Sequence, residues 1–146
     1  VKRVRRIMVA MDKSEAAKES LNLATSFLRD IDGGQLYLVH LNPDTPGKSG
    51  ATEADPEQDP VLATAVAQVK QQGISYRCIN STGQAGPKIC SLAEENNIDL
   101  LIIGSPEKRP SIARNLPDLD RLLGSSLSDY VRVYANCPVL LARTPD

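Results

Sequence analysis

Three clusters in the sequence carry residue types that could handle a charged or hydroxylated ligand. Asp12 follows the apolar run Arg6-Ile7-Met8-Val9-Ala10-Met11 at once. A carboxylate there can accept hydrogen bonds from an adenine amine or a ribose hydroxyl, or else close an Asx-turn that supports a following helix. Gly104-Ser105 closes a second apolar run, and Gly124-Ser125-Ser126 stands where the last long helix should begin. Glycines admit close approach of backbone N–H groups to an anion, and a helix N-terminus adds positive potential, so the pair could cradle phosphates. The alternative is a tight exit turn at Gly104 and an ordinary helix cap at Ser125.

Other candidates fall away. His40 is the only histidine, so any imidazole base would have to be this residue, and its place inside a strand favours a hydrogen-bonded structural role. Gly83-Gln84-Ala85-Gly86-Pro87-Lys88 lacks the Gly-Lys-Ser/Thr ending of a phosphate loop; it reads as a turn into a helix with Pro87 at its first position. Cys78, Cys90 and Cys137 show no metal-ligand spacing and read as reduced, core-adjacent residues. No metal cluster is expected, and no enzyme is expected, a slow ATPase or adenylyl transfer being the activities left open.

The elements that must position these residues follow from apolar patterning. Strands are expected at Arg6–Met11, Gln35–Leu41, Ile74–Ile79, Leu100–Ile103 and Pro138–Ala142. Between them lie helices, the first capped by Ser14, with Ala17, Leu21, Ala24 and Leu28 on its inner face. The second is capped by Asp59 with Pro60 at its start, and buries Val61, Leu62, Ala65, Val66 and Val69. The third spans Pro87–Glu95, burying Ile89, Leu92 and Ala93. The last begins near Ser125, with Leu119, Leu122, Leu123, Leu127, Tyr130, Val131 and Tyr134 forming one stripe. Residues 42–58, rich in Pro, Gly and acidic side chains, read as a mobile surface loop. The strict alternation of strand and helix means a parallel sheet covered on both faces, as one α/β domain over residues 1–146. In such sheets ligands bind at the carboxyl ends of strands, where the strand order reverses.

Composition agrees. Seventeen basic against eighteen acidic residues give a formal net charge of −1, which argues against nucleic-acid binding. No apolar run nears the ~20 residues that span a bilayer, and the reduced reading of the three cysteines leads us to expect a cytoplasmic protein. The basic start Lys2-Arg3-Val4-Arg5-Arg6 reads as a short solvated arm.

These residues also carry a resemblance. Ile7-Met8-Val9-Ala10-Met11-Asp12-Lys13-Ser14-Glu15, the strand ending Val39-His40-Leu41, Asp99-Leu100-Leu101-Ile102-Ile103-Gly104-Ser105, and Gly124-Ser125-Ser126-Leu127-Ser128-Asp129-Tyr130-Val131 closed by Cys137-Pro138-Val139-Leu140-Leu141 resemble the universal stress protein family over nearly the whole chain. The resemblance implies a Rossmann-like sheet of five parallel strands in order 3-2-1-4-5 and a homodimer joined through the last strand, Val139–Ala142. It also implies a stress-response regulator that binds ATP, with Ala10, Asp12, Leu41 and Ile103 around the adenosine and Gly104, Gly124, Ser125 and Ser126 around the ribose and phosphates. Nucleotide-binding members space their glycines as Gly, two residues, Gly, nine residues, then Gly-Ser or Gly-Thr. Here Glu107 stands in place of the second glycine, and the segment from Gly104 to Gly124 is seven residues longer, marking residues 105–117 as an insertion. Glu107 adds repulsion toward phosphate, while Lys108, Arg109, Arg114 and Arg121 could offset it. The other expectation is therefore a dimerisation or regulatory module without nucleotide, such as the cytosolic part of a membrane transporter or channel.

Overall fold

A computed structural model of the chain describes residues 3–42, 52–53, 58–105 and 126–143. In chain order the elements are β1 (Arg6–Met11), α1 (Glu15–Leu28), β2 (Gln35–Asn42), β3 (Thr52–Glu53), α2 (Pro60–Lys70), β4 (Tyr76–Thr82), α3 (Ala85–Glu95), β5 (Leu100–Gly104), α4 (Ser126–Tyr134) and β6 (Val139–Ala142). The sheet runs β3-β4-β2-β1-β5-β6. Its five long strands pair in parallel, in the expected order.

Strand parity decides what each face buries. Ile7, Val9 and Met11 of β1 and Leu36 and Leu38 of β2 join α1 and α2 in one core. Met8 of β1, Tyr37 and Val39 of β2, and Leu101 and Ile103 of β5 join α3 and α4 in the other. Successive side chains of a strand point to opposite faces, so an apolar strand serves both layers at once. The helix starts follow local chemistry. The Ser14 hydroxyl accepts the Ala17 N–H at 3.1 Å, and Asp59 Oδ1 accepts the Val61 N–H at 3.0 Å with Pro60 following, each satisfying a first-turn donor. At the other end of the sheet, Asp99 Oδ2 accepts the Arg5 and Arg6 N–H groups at 2.9 and 3.0 Å, so Arg5 and Arg6 are tied to the β5 entry.

Four expectations need correction. Residues 42–58 are not loop throughout: Asn42 ends β2, and Thr52–Glu53 pairs antiparallel with Ile79 and Asn80 as a sixth, edge strand, a polar two-residue strand with no periodicity to betray it. β4 starts and ends later than Ile74–Ile79, because Ser81 and Thr82 pair with Leu41 and Asn42 although neither is apolar. α3 starts at Ala85, which makes Pro87 its third residue; first-turn N–H groups have no intrahelical acceptor, so proline is tolerated there. Tyr134 leaves the apolar stripe of α4 and is 64% exposed, its ring 4.5 Å from that of Tyr130, whereas Val131 is fully buried. Leu119, Leu122, Leu123 and, except for Ser105, the expected insertion at 105–117 lie outside the described residues.

Candidate functional site

The strand order reverses between β2 and β5, the two neighbours of β1, and a cleft of ≈ 160 Å³ opens there. Its floor is the carboxyl end of β1 and its neighbours: Ala10, Met11, Val39, Leu41, Ile103 and Gly104. One wall is the β1–α1 turn, with Asp12, Ser14 and Ala17; the other comes from Ala85 and Ile89 of α3 and Leu127 of α4. Parity explains the floor. Ala10, Val39, Leu41 and Ile103 all pack on the α3–α4 core, so the cleft belongs to that side of the sheet.

Asp12 closes the Asx-turn and also faces the cleft. Its Oδ1 accepts the Ser14 N–H at 2.7 Å, an Asx-turn that starts α1, while the carboxylate stays exposed at the cleft wall. Its Oδ2 makes no hydrogen bond among the described residues, which leaves an acceptor for an amine or hydroxyl. Gly104 also lines the cleft, but its lack of a side chain answers to packing: a Cβ there would lie 2.6 Å from Ala16 Cβ and 2.8 Å from the Ala16 carbonyl carbon. The glycine lets β5 and α1 touch. Gly86 does the same for α3 and α4, its missing Cβ replaced by the Tyr130 ring at 2.8 Å.

Of the expected site residues, the structure gathers Ala10, Asp12, Leu41, Ile103 and Gly104 around one cleft. Gly124 and Ser125 lie outside the described residues, and Ser126 enters only as the first residue of α4. Met11, Ser14, Ala17, Val39, Ala85, Ile89 and Leu127 were missed. Parity pointed to Val39, two residues before Leu41; nothing local in α3 or α4 announced Ala85 or Leu127.

His40 is elsewhere. It points to the α2 side, where its Nδ1 lies 2.7 Å from Asp59 Oδ2. Asn80 Nδ2 donates to the same oxygen at 2.7 Å, and Asn42 Nδ2 donates to Asn80 Oδ1. With Asp59 ionised, His40 donates from Nδ1, so the ring is a positioned structural donor. Among the described residues no group of three or more His, Cys, Asp or Glu side chains could hold a metal, and no helix is long and apolar enough to cross a membrane. No disulfide joins Cys78, Cys90 and Cys137, and burial pushes the Cys90 thiol pKa up.

A doubly wound parallel sheet with a hollow at its switch point defines an α/β fold of the class that places its sites at the carboxyl ends of the strands. The model of the universal stress protein family matches residues 3–143, and the chain belongs to that family. A universal stress protein of Synechocystis is 28% identical over 141 residues, covering 92% of this chain and 83% of that one. Two solved structures share the fold. One is a universal stress protein family protein of Arabidopsis thaliana with AMP bound, 18% identical, with a TM-score of 0.67 over 97% of this chain and 92% of that one. The other is the universal stress protein of Archaeoglobus fulgidus in complex with dAMP, 20% identical, with a TM-score of 0.66 over 96% and 98%.

Proposed function

We propose that this domain is a regulator that binds an adenine nucleotide in the cleft at the β1/β5 switch point and does no chemistry on it. The observation that carries the reading is the convergence of Ala10, Asp12, Leu41, Ile103 and Gly104, from three strands, on one hollow lined mostly by apolar side chains with a carboxylate at its wall. The apolar floor suits the faces of a purine, and Asp12 Oδ2, without a hydrogen bond among the described residues, suits an amine or a ribose hydroxyl. Relatives of the same fold bound to AMP and dAMP support the ligand class. The remaining expected contacts, Gly124, Ser125 and Ser126, would meet the ribose and phosphates. His40, the only imidazole, is not among the cleft-lining residues, which supports binding over catalysis.

The proposed assembly is a cytoplasmic homodimer joined through Val139–Ala142. β6 is the outermost strand on its side of the sheet, Leu141 is 40% exposed, and Val133 and Tyr134 on α4 are exposed too. An edge left without a neighbouring strand among the described residues favours pairing with another strand.

Calorimetric titration of the purified protein with AMP, ATP and cyclic AMP tests the reading. Saturable binding of at least one at submillimolar concentration, lost on replacing Ala10 by a bulkier residue, is the expected result. Absence of heat with all three at millimolar concentration would leave a module that acts without nucleotide.

A further inference from the structure

We propose that Gly86 and Tyr130, neither of which is among the residues lining the cleft, are its positioning residues. Their contact sets how far apart the α3 and α4 parts of the wall stand, and so how tightly a bound base is held. The inference rests on the nucleotide reading above and adds the device that fixes the width of that site.

One wall of the cleft is shared by two helices, with Ala85 and Ile89 from α3 and Leu127 from α4. The spacing of packed helices depends on the side chains where they meet. Gly86 follows Ala85 directly and precedes Ile89 by three residues, and Tyr130 follows Leu127 by three. Three residues rise about 4.5 Å along a helix, so the Gly86–Tyr130 contact lies within one turn of each helical lining residue. Gly86 is buried there. Glycine weakens a helix; at this position it admits an approach of α3 to α4 that alanine would obstruct.

A Cβ on residue 86 would lie 2.8 Å from Cγ and Cδ1 of Tyr130 and 3.0 Å from its Cβ. Turning the ring moves Cγ and Cδ1 but leaves Cβ where it is, so relief requires the helices to part. Measured against the ~3.5–4.0 Å of a relaxed carbon contact, the parting is roughly half an ångström or more. A base packed against Ala85, Ile89 and Leu127 meets the same gap. Such a gap forfeits about a quarter of the dispersion attraction of every atom pair that it opens.

Calorimetry on the full chain, with whichever of AMP, ATP and cyclic AMP binds the native protein most tightly, tests the inference. Urea denaturation is run beside each variant. Gly86→Ala is expected to weaken binding about tenfold. Adding Tyr130→Ala, which removes Cγ and Cδ1, is expected to bring the double variant back to within about threefold of the native protein. Tyr130→Ala alone loosens the seam and is expected to cost about threefold, an affinity that the conservative Tyr130→Phe regains. Asp59→Ala, a lost cap on the opposite face, is the stability control, expected to lower the denaturation midpoint without a matching loss of affinity. Native affinity in Gly86→Ala overturns the inference, as does a double variant that binds no better than Gly86→Ala. Should Gly86→Ala not fold, Tyr130→Ala decides: native affinity there overturns the inference, and a loss that Tyr130→Phe regains supports it. A native protein that binds none of the three nucleotides overturns the nucleotide reading and this inference with it, a result seen before any substitution is made.

Discussion

His40 and Leu41 are neighbours in the chain and stand on opposite faces of the sheet. On the α2 face, the polar groups around His40 are turned on one another: Asp59 takes the His40 ring, the Asn80 amide and the first N–H groups of α2. On the α3–α4 face, Leu41 and its apolar neighbours leave a hollow, and among the described residues the carboxylate at its wall, Asp12, keeps one oxygen without a hydrogen bond. Polar residues that satisfy each other build structure; a polar group left over at the wall of an apolar hollow is where a ligand can act. In this domain the histidine belongs to the first kind and the aspartate after β1 to the second.

The contrast can be broken from the structural side first. Asp59→Ala removes a helix cap and leaves His40 and Asn80 without their shared acceptor. The expected loss is about 2–4 kcal/mol of stability, read by urea denaturation, with affinity for AMP in the folded fraction changed less than about threefold. Gly104→Ala forces a methyl group into Ala16 at the seam between β5 and α1, and about 1–3 kcal/mol should be lost to overpacking, read from the same denaturation curves. Ala10→Leu sharpens the comparison from the other side. It fills the cleft floor from a half-buried position, so stability should move by less than about 1.5 kcal/mol while calorimetry shows AMP affinity falling at least about tenfold.

Much of this arrangement was legible beforehand, and the reason is physical. Continuous apolar strands alternating with amphipathic helices admit few topologies; the switch-point rule then pointed to the strand ends at Asp12, Leu41 and Gly104, while Ala10 and Ile103 came only with the family resemblance. Asp59 was legible as a cap because capping is local. Its second role was not, since His40 lies 19 residues away and Asn80 lies 21 away, and only the sheet brings them together. The packing role of Gly104 was equally hidden, because a glycine after a strand looks the same whether it faces a phosphate or a helix. Ala85, Ile89 and Leu127 reached the cleft through helix docking, which no local pattern encodes.

The measurement closest to the centre of the account is a titration of isotopically labelled protein with AMP, followed by the backbone amide resonances. The account predicts saturable shifts confined to the Asp12, Leu41, Ala85 and Gly104 region, with the amides around His40, Asp59 and Asn80 unmoved beyond the tip of β2. Shifts centred on the α2 face, or none at millimolar AMP, would contradict it.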